Sequence, residues 1–309
     1  MTDKKLEDKK PIILYLEDFL QYRFPERDLI LSPWLSSQSL NMIYSWRGVG
    51  KTHVALGIAY AVASGGSFLG WKADKPQGVL YIDGEMSGII LQERLKKIVA
   101  NYDYSYIKEM FQIYASDIPN NAVMPDLATL EGQSIIDQYI LPSIKLIIID
   151  NLSCLVRSGG RENDSESWRE ISGWALQKRL QGKSIIFIHH SGKDGSQRGT
   201  SKREDVLDTV ISLKQPCDYE PSQGARFEVH FEKARHLHGD HVKPFTVNLE
   251  QQDNSYKWST ITLTESNRQK IITMSQEGMT NGEIASDLGI SRQAVFKHLK
   301  KAKEEGLIK

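Results

Sequence analysis

Ser45-Trp46-Arg47-Gly48-Val49-Gly50-Lys51-Thr52 stands between an apolar run at 40–44 and a segment, 53–63, in which small and apolar residues recur at helical spacing. A buried strand followed at once by a helix places this stretch at a strand-to-helix turn, the setting a phosphate-binding loop requires. Gly48 and Gly50 let the backbone turn its N–H groups inward. The helix starting near Lys51 adds the positive end of its dipole, and together they cradle phosphate oxygens. Lys51 then reaches the β- and γ-phosphates, the Thr52 hydroxyl is placed to bind Mg²⁺, and Arg47, Val49 and His53 complete the nucleotide-wrapping segment. The first position, glycine in the usual motif, is Ser45. A chance Gly-Lys-Thr at a helix start is the bland alternative, and the flanking pattern weighs against it.

A second signal is the β-branched run at 144–149, which ends in Asp150 and is followed by Asn151. A strand apolar on both faces and closed by an aspartate is what a P-loop enzyme uses to hold Mg²⁺ through its coordination water. The apolar strand at 78–82 ends in Asp83-Gly84-Glu85-Met86. An acidic pair at that edge suits the orientation of a water for attack on a γ-phosphate, with Glu85 in the role and Asp83 as its substitute. The competing reading is a capping carboxylate for the helix starting near Ser87. A further apolar strand, 184–188, ends in His189-His190, where a polar residue can touch the γ-phosphate and the next loop. Zinc binding is the rival there. Neighbours on a strand point to opposite faces, and no Cys or carboxylate cluster completes a site.

Lys and Arg (39) balance Asp and Glu (39) over 309 residues, so any nucleic-acid surface must be local. The two cysteines, Cys154 and Cys217, form no metal-ligand spacing and no framework of pairs, and a reducing cytoplasm is the simplest expectation. No apolar run approaches the roughly twenty residues of a membrane span, and the charged start lacks the apolar core of a signal peptide. Residues 1–28 read as a mobile leader and a helix at 12–22 that packs on the main domain or on a neighbour.

Strand alternates with helix up to residue 190, which predicts a parallel α/β sheet with the nucleotide at its C-terminal edge. A long loop, 191–203, carries Lys193, Arg198, Lys202 and Arg203 among glycines and serines and is a candidate nucleic-acid contact. After Val206, segments 209–214, 226–233, 244–249 and 256–261 read as antiparallel strands. Lys233 and Arg235, two apart at a strand end, project toward one side and can present two cations to a phosphate. A solvated charge run is the alternative. The domain of 29–262 is then followed by a unit at 265–309: three helices, a glycine-containing turn, and a basic last helix with Arg292, Lys297 and Lys301. This is the pattern of a helix-turn-helix that contacts DNA, or of a helical module for protein contact.

With these residues placed, the chain from about 29 to 261 resembles the RecA-like ATPases, and most closely the RepA-type hexameric replicative helicases of plasmids and phages. The match rests on Gly48-Val49-Gly50-Lys51-Thr52, Tyr81-Ile82-Asp83-Gly84-Glu85-Met86, Ile147-Ile148-Ile149-Asp150-Asn151, Ile188-His189-His190-Ser191, Arg198-Gly199-Thr200-Ser201 and Lys233-Ala234-Arg235. The resemblance implies ATP and Mg²⁺ as cofactors, Glu85 as catalytic glutamate and Asp150 as the Mg²⁺ aspartate. It implies His189 or His190 as γ-phosphate sensor, and Lys233 and Arg235 acting on the neighbouring subunit's nucleotide. It also implies a homo-oligomeric ring, a hexamer, whose channel takes single-stranded DNA through the loops after Asp150 and His190. Ser45 departs from the family glycine, and the helix-turn-helix lies outside the shared core, suggesting duplex docking or a loader role. Two functions compete on these grounds: a ring-forming DNA motor, and an ATP-regulated DNA-binding protein that does not unwind.

Overall fold

The computed structural model describes residues 13–24, 26–100, 107–118, 124–157, 165–192, 204–216, 218–252 and 254–308. In chain order the elements begin with α1 (Leu16–Gln21), β1 (Leu29–Leu31), β2 (Leu35–Ser36), β3 (Leu40–Ser45) and α2 (Lys51–Ser64). There follow β4 (Ser67–Phe68), β5 (Trp71–Lys72), β6 (Gly78–Asp83), α3 (Gly88–Val99), β7 (Phe111–Ala115), α4 (Leu130–Asp137) and β8 (Ile144–Asp150). Then come α5 (Leu152–Leu155), α6 (Ser165–Leu180), β9 (Ser184–His190), β10 (Thr209–Lys214), β11 (Ala225–Ala234), β12 (Phe245–Gln252) and β13 (Ser255–Thr262). The last three are α7 (Leu263–Gln276), α8 (Asn281–Asp287) and α9 (Arg292–Glu304).

Nine strands form one sheet in the order β13-β12-β11-β10-β3-β9-β8-β6-β7. Strands β10 through β7 in that order are mutually parallel, and β11 to β13 are antiparallel. The expectation for 209–214 is corrected here: β10 pairs parallel with β3 and antiparallel only with β11, so it is the last member of the parallel set. No helical pattern between β9 and β10 announces that crossover in the sequence. Strand β9 lies between β3 and β8, so the phosphate-loop strand and the Asp150 strand are not neighbours.

The all-apolar strands are explained by burial on both faces. Ile43, Val79, Tyr81, Leu146, Ile148, Ile186 and Ile188 pack with α2 and Leu91 of α3. On the other face Met42, Leu80, Ile147, Ile149, Ile185 and Phe187 pack with Ile136, Trp168, Ile171 and Trp174. Both tryptophans of α6 are thus core, as is Trp34. The alternation continues to the strand ends. Ser45, Asp83, Asp150 and His190 share the parity of the α2 face, whereas His189 shares that of Ile185 and Phe187.

One local reading changes, and two short strand pairs join the fold. The helix expected over 12–22 is limited to α1 and buries none of its residues, with Ile13, Tyr15, Leu16 and Leu20 each more than 70% exposed. Residues 29–36 form the antiparallel β1–β2 pair, and residues 67–72 the antiparallel β4–β5 pair. These are two- and three-residue strands, too short to produce a periodic signal.

Helices α7 to α9 enclose their own small core of Ile271, Ile284, Ala285, Val295 and Leu299. Thr280 and Glu283 cap α8 reciprocally, and Ser291 Oγ accepts from Ala294 N to start α9. Between them Gly289 turns the chain with φ +62°. Helix α7 begins at Leu263, capped by Thr262, so it grows directly out of β13. Among the described residues no helix is long and apolar enough to cross a membrane.

Candidate nucleotide site

At the C-terminal ends of β3, β6, β8 and β9 lies a cleft of about 470 Å³. Its lining includes Arg47, Gly48, Gly50, Lys51, Thr52 and His53 from the phosphate loop, with Glu85, Asp150 and His190 from the neighbouring strand ends. Val49 is buried beneath the loop in the core. Gly48 and Gly50 adopt φ of +79° and +131°, which side-chain-bearing residues rarely take, and a Cβ on Gly50 would also sit 3.0 Å from the Phe227 ring.

Lys51 is 6% exposed, and its Nζ donates to Ser45 O and Ser45 Oγ, each at 3.2 Å, and to Trp46 O at 3.0 Å. Burial lowers its pKa to about 8, against the opposing pull of Asp150 and Glu85. Ser45, at the position of the usual glycine, thus supplies two of the three acceptors that hold the lysine.

Asp150 is 2% exposed and accepts a 2.6 Å bond from Tyr81 Oη as well as a bond from Thr52. Burial raises its pKa, and burial followed by Asp150 raises that of Tyr81. Thr52 and Asp150 form an all-oxygen pair. Among the described residues no group of three or more His, Cys, Asp or Glu side chains converges on a metal site. That donor set fits Mg²⁺, which keeps most of its waters and takes one or two protein oxygens beside phosphate.

Glu85 stands half-exposed at the mouth of the cleft. Asn151 Nδ2 donates to Glu85 Oε2 and lies 3.2 Å from His190 Nε2, which in turn is 3.5 Å from Glu85 Oε2. Asn151 Oδ1 meanwhile accepts from Cys154 N and caps α5, so one buried side chain both starts a helix and joins Glu85 to His190. Asp83 does not reach the cleft. It is fully buried, and its Oδ1 accepts from Glu85 N and Met86 N, shaping the turn that carries Glu85. Burial and then Asp150 push its pKa up to about 7. The carboxylate that caps α3 is instead Asp117, through two 2.8 Å bonds to Gly88 N.

Of the two histidines, His190 lines the cleft and His189 is fully buried on the opposite face of the sheet. Of the two histidines left open by the sequence, the alternation of β9 brings His190 to the cleft and turns His189 away from it. His53 lines the cleft and stands edge-on to Tyr256 at 5.3 Å, and burial lowers its pKa to about 4.

Sequence reasoning missed Arg94 and Tyr219, which line the cleft, and quoted Tyr81 and Met86 in a matched segment without giving either a role, although Tyr81 contacts Asp150 and Met86 lines the cleft. Tyr81 occupies an ordinary core position of an apolar strand, so no local signal marks it; Tyr219 is brought in by tertiary folding alone.

Lys233 and Arg235 lie elsewhere. Lys233 Nζ donates to Glu204 O, and Arg235 Nη2 donates to Asp205 O at 2.6 Å, so both point to one side as their spacing predicts. Lys193, Arg198, Lys202 and Arg203 lie outside the described residues, as does Cys217. Arg292, Lys297 and Lys301 are exposed on α9, together with Lys300, Lys303 and the 61%-exposed Phe296.

No protein of curated function matches this chain. A crystal structure of the RadB recombinase is similar with a TM-score of 0.46 and 11% identity, over 71% of this chain and 90% of that one. Residues 262–309 match the model of the homeodomain-like domain. Residues 8–196, more than half of the chain, match the model of the AAA domain. With its phosphate loop and mostly parallel sheet, and with a helix-turn-helix unit at its C-terminal side, the chain belongs to the AAA domain family.

Proposed function

We propose that the cleft binds ATP with Mg²⁺ and hydrolyses it, and that the chain works as a ring-forming DNA motor of the RepA type. The observation that carries the first part is the convergence of Lys51, Thr52, Glu85, Asp150 and His190 on one cleft from four strand ends. Lys51 leaves the Ser45 and Trp46 oxygens for the β- and γ-phosphates. Thr52 and Asp150 would hold Mg²⁺, which would neutralise charge on the phosphates when bound. Glu85 accepts a hydrogen bond from the attacking water, and Asn151 keeps its carboxylate aimed and joined to His190, the γ-phosphate sensor.

The ring is supported by where Lys233 and Arg235 stand. Ala234 pairs with Thr209, and Thr209 pairs with Asn41, four residues upstream of Ser45. At about 3.3 Å per residue, the pair sits roughly 13 Å back from the strand ends that carry the chain's own cleft, on the wrong edge of the sheet to serve it. A head-to-tail contact that closes into a ring brings such a pair to a neighbour's phosphates. In this reading residues 29–262 are the motor domain and 265–309 a DNA-docking domain.

The second reading is an ATP-regulated DNA-binding protein that does not unwind, favoured by the exposed cations of α9. Measuring strand displacement with ATP on a forked substrate, alongside sizing with and without a non-hydrolysable ATP analogue, separates the two. Displacement by a nucleotide-dependent ring supports the motor. Duplex binding without displacement supports the regulator.

A further inference from the structure

One wall of the cleft is built by the turn from Asp218 to Gly224, which contributes Tyr219 and Gly224, and by Ala225 at the start of β11. This wall is close to the phosphate loop, since a Cβ on Gly50 would meet Phe227 at 3.0 Å and Ala225 at 3.9 Å. The turn is braced from within. Tyr219 Oη donates to Gly224 O at 2.9 Å, Glu220 N to Gln223 Oε1 at 3.2 Å, and Arg226 Nη1 to the same Gln223 oxygen at 2.9 Å.

It is also held from outside, by the helix-turn-helix unit. Lys270 of α7 donates to Asp218 Oδ1 at 2.7 Å, while Arg226 donates to Asp218 Oδ2 at 2.9 Å. The Lys270 and Arg226 side chains are only 12% and 15% exposed, so this is a partly desolvated three-group cluster, not a surface pair. Burial alone raises the Asp218 pKa, yet the bonds from Lys270 and Arg226 bring it below the usual value. A second connection runs alongside. Strand β13 leads into α7, and its Tyr256 and Trp258 rings sit 5.3 and 6.5 Å from His53 of the phosphate-loop helix.

We propose that Lys270 is a positioning residue for the nucleotide site: through Asp218, α7 of the helix-turn-helix unit fixes the Tyr219 wall of the cleft and makes nucleotide affinity depend on that unit. The inference rests on reading the cleft as a nucleotide site. The coupling is reciprocal by thermodynamic necessity, so nucleotide also tightens the seating of α7. Removing Lys270 leaves Asp218 paired with Arg226, which keeps the turn neutralised while freeing it from α7.

The test measures binding of Mg²⁺ and a non-hydrolysable ATP analogue to the full chain by calorimetry, with ATP turnover at saturation in parallel. Lys270→Met should weaken affinity and raise KM by about tenfold, within the usual range of site-to-site coupling, and leave kcat within about twofold of wild type. Lys270→Arg should keep affinity near wild type, and Lys270→Met combined with Asp218→Asn should be no worse than Asp218→Asn alone. A purely structural role would lower the melting temperature without this split between KM and kcat. If Lys270→Met does not fold, Asp218→Asn gives the same readout. Unchanged affinity in a folded variant overturns the inference while leaving the nucleotide site standing. A wild-type chain that binds no analogue overturns both.

Discussion

Lys51 Nζ is held by the carbonyl and the hydroxyl of the same residue, Ser45, at 3.2 Å each. The ammonium proposed to serve the phosphates is therefore already desolvated and parked six residues upstream, and burial lowers its pKa to about 8. Phosphate binding needs the charged form. Nucleotide Kd should be flat below pH 8 and weaken above it, approaching about tenfold per pH unit, because each binding event must first return a proton to Lys51. Stability has the opposite slope. A lysine whose folded pKa is lowered binds fewer protons folded than unfolded between pH 8 and its ordinary value of 10.5, so its destabilising contribution fades across that window as pH rises. Titrating a fluorescent nucleotide from pH 7 to 9.5 checks the first part, and a pH-independent Kd would remove Lys51 from the phosphate contact. Lys51→Ala should abolish turnover in a folded chain.

The Glu85–Asn151–His190 triangle makes a separable prediction. Glu85→Gln should still bind ATP and lose about 10² to 10⁴ in turnover, as expected when a positioned base is removed. Asn151→Ser keeps an oxygen to cap α5 but loses the amide donor that reaches Glu85 and His190. It should lose turnover with little change in melting temperature. Asn151→Ala should lose turnover and about 1 kcal/mol of stability as well. Full turnover in a folded Asn151→Ser chain would reduce that residue to a cap.

What the sequence made legible was what local chemistry dictates. Gly48 and Gly50 are needed for positive φ, Lys51 and Thr52 follow at a helix start, and Asp150 ends a strand apolar on both faces. Tyr81 and the Lys270–Asp218 pair were not legible, because each depends on which strands and helices become neighbours. His190 could have been distinguished from His189. Its parity with Ile186 and Ile188 places it on the α2 face once a right-handed crossover puts α2 there. Strand β10 was misread because the segment between 191 and 208 carries charge and glycine instead of a helical period, so the return crossing left no pattern.

The last helix makes an electrostatic prediction. Val295, Leu299 and Ala302 of α9 face its own small core, which leaves Arg292, Lys297 and Lys301 on the exposed side. Replacing all three by Ala should weaken duplex DNA binding and reduce the slope of log K against log salt by up to about 3, near 0.9 per lost phosphate contact. Basal ATPase should be unaffected. An unchanged slope, read from titrations at several salt concentrations, would assign α9 to protein contact.

Arg235 decides between a ring and a solitary ATPase. Its guanidinium donates to Asp205 O, and Lys233 beside it to Glu204 O, at the edge of the sheet remote from the chain's own cleft. Carbonyl oxygens are neutral acceptors, so a neighbour's γ-phosphate, charged and bidentate, is the stronger partner for that guanidinium. An arginine supplied in trans is worth about 10³ to 10⁵ in the rate of phosphoryl transfer. Arg235→Ala should therefore bind ATP normally and hydrolyse it slowly. Mixing exposes the geometry. An excess of Lys51→Ala subunits, which keep Arg235 but cannot use their own site, should restore turnover at the intact sites of Arg235→Ala subunits in mixed rings. Rescue that rises with the share of Lys51→Ala subunits and vanishes on dilution of the ring is the outcome of a finger acting across an interface. No rescue at any ratio, with subunit exchange shown independently, would mean that Arg235 acts within its own chain or not at all.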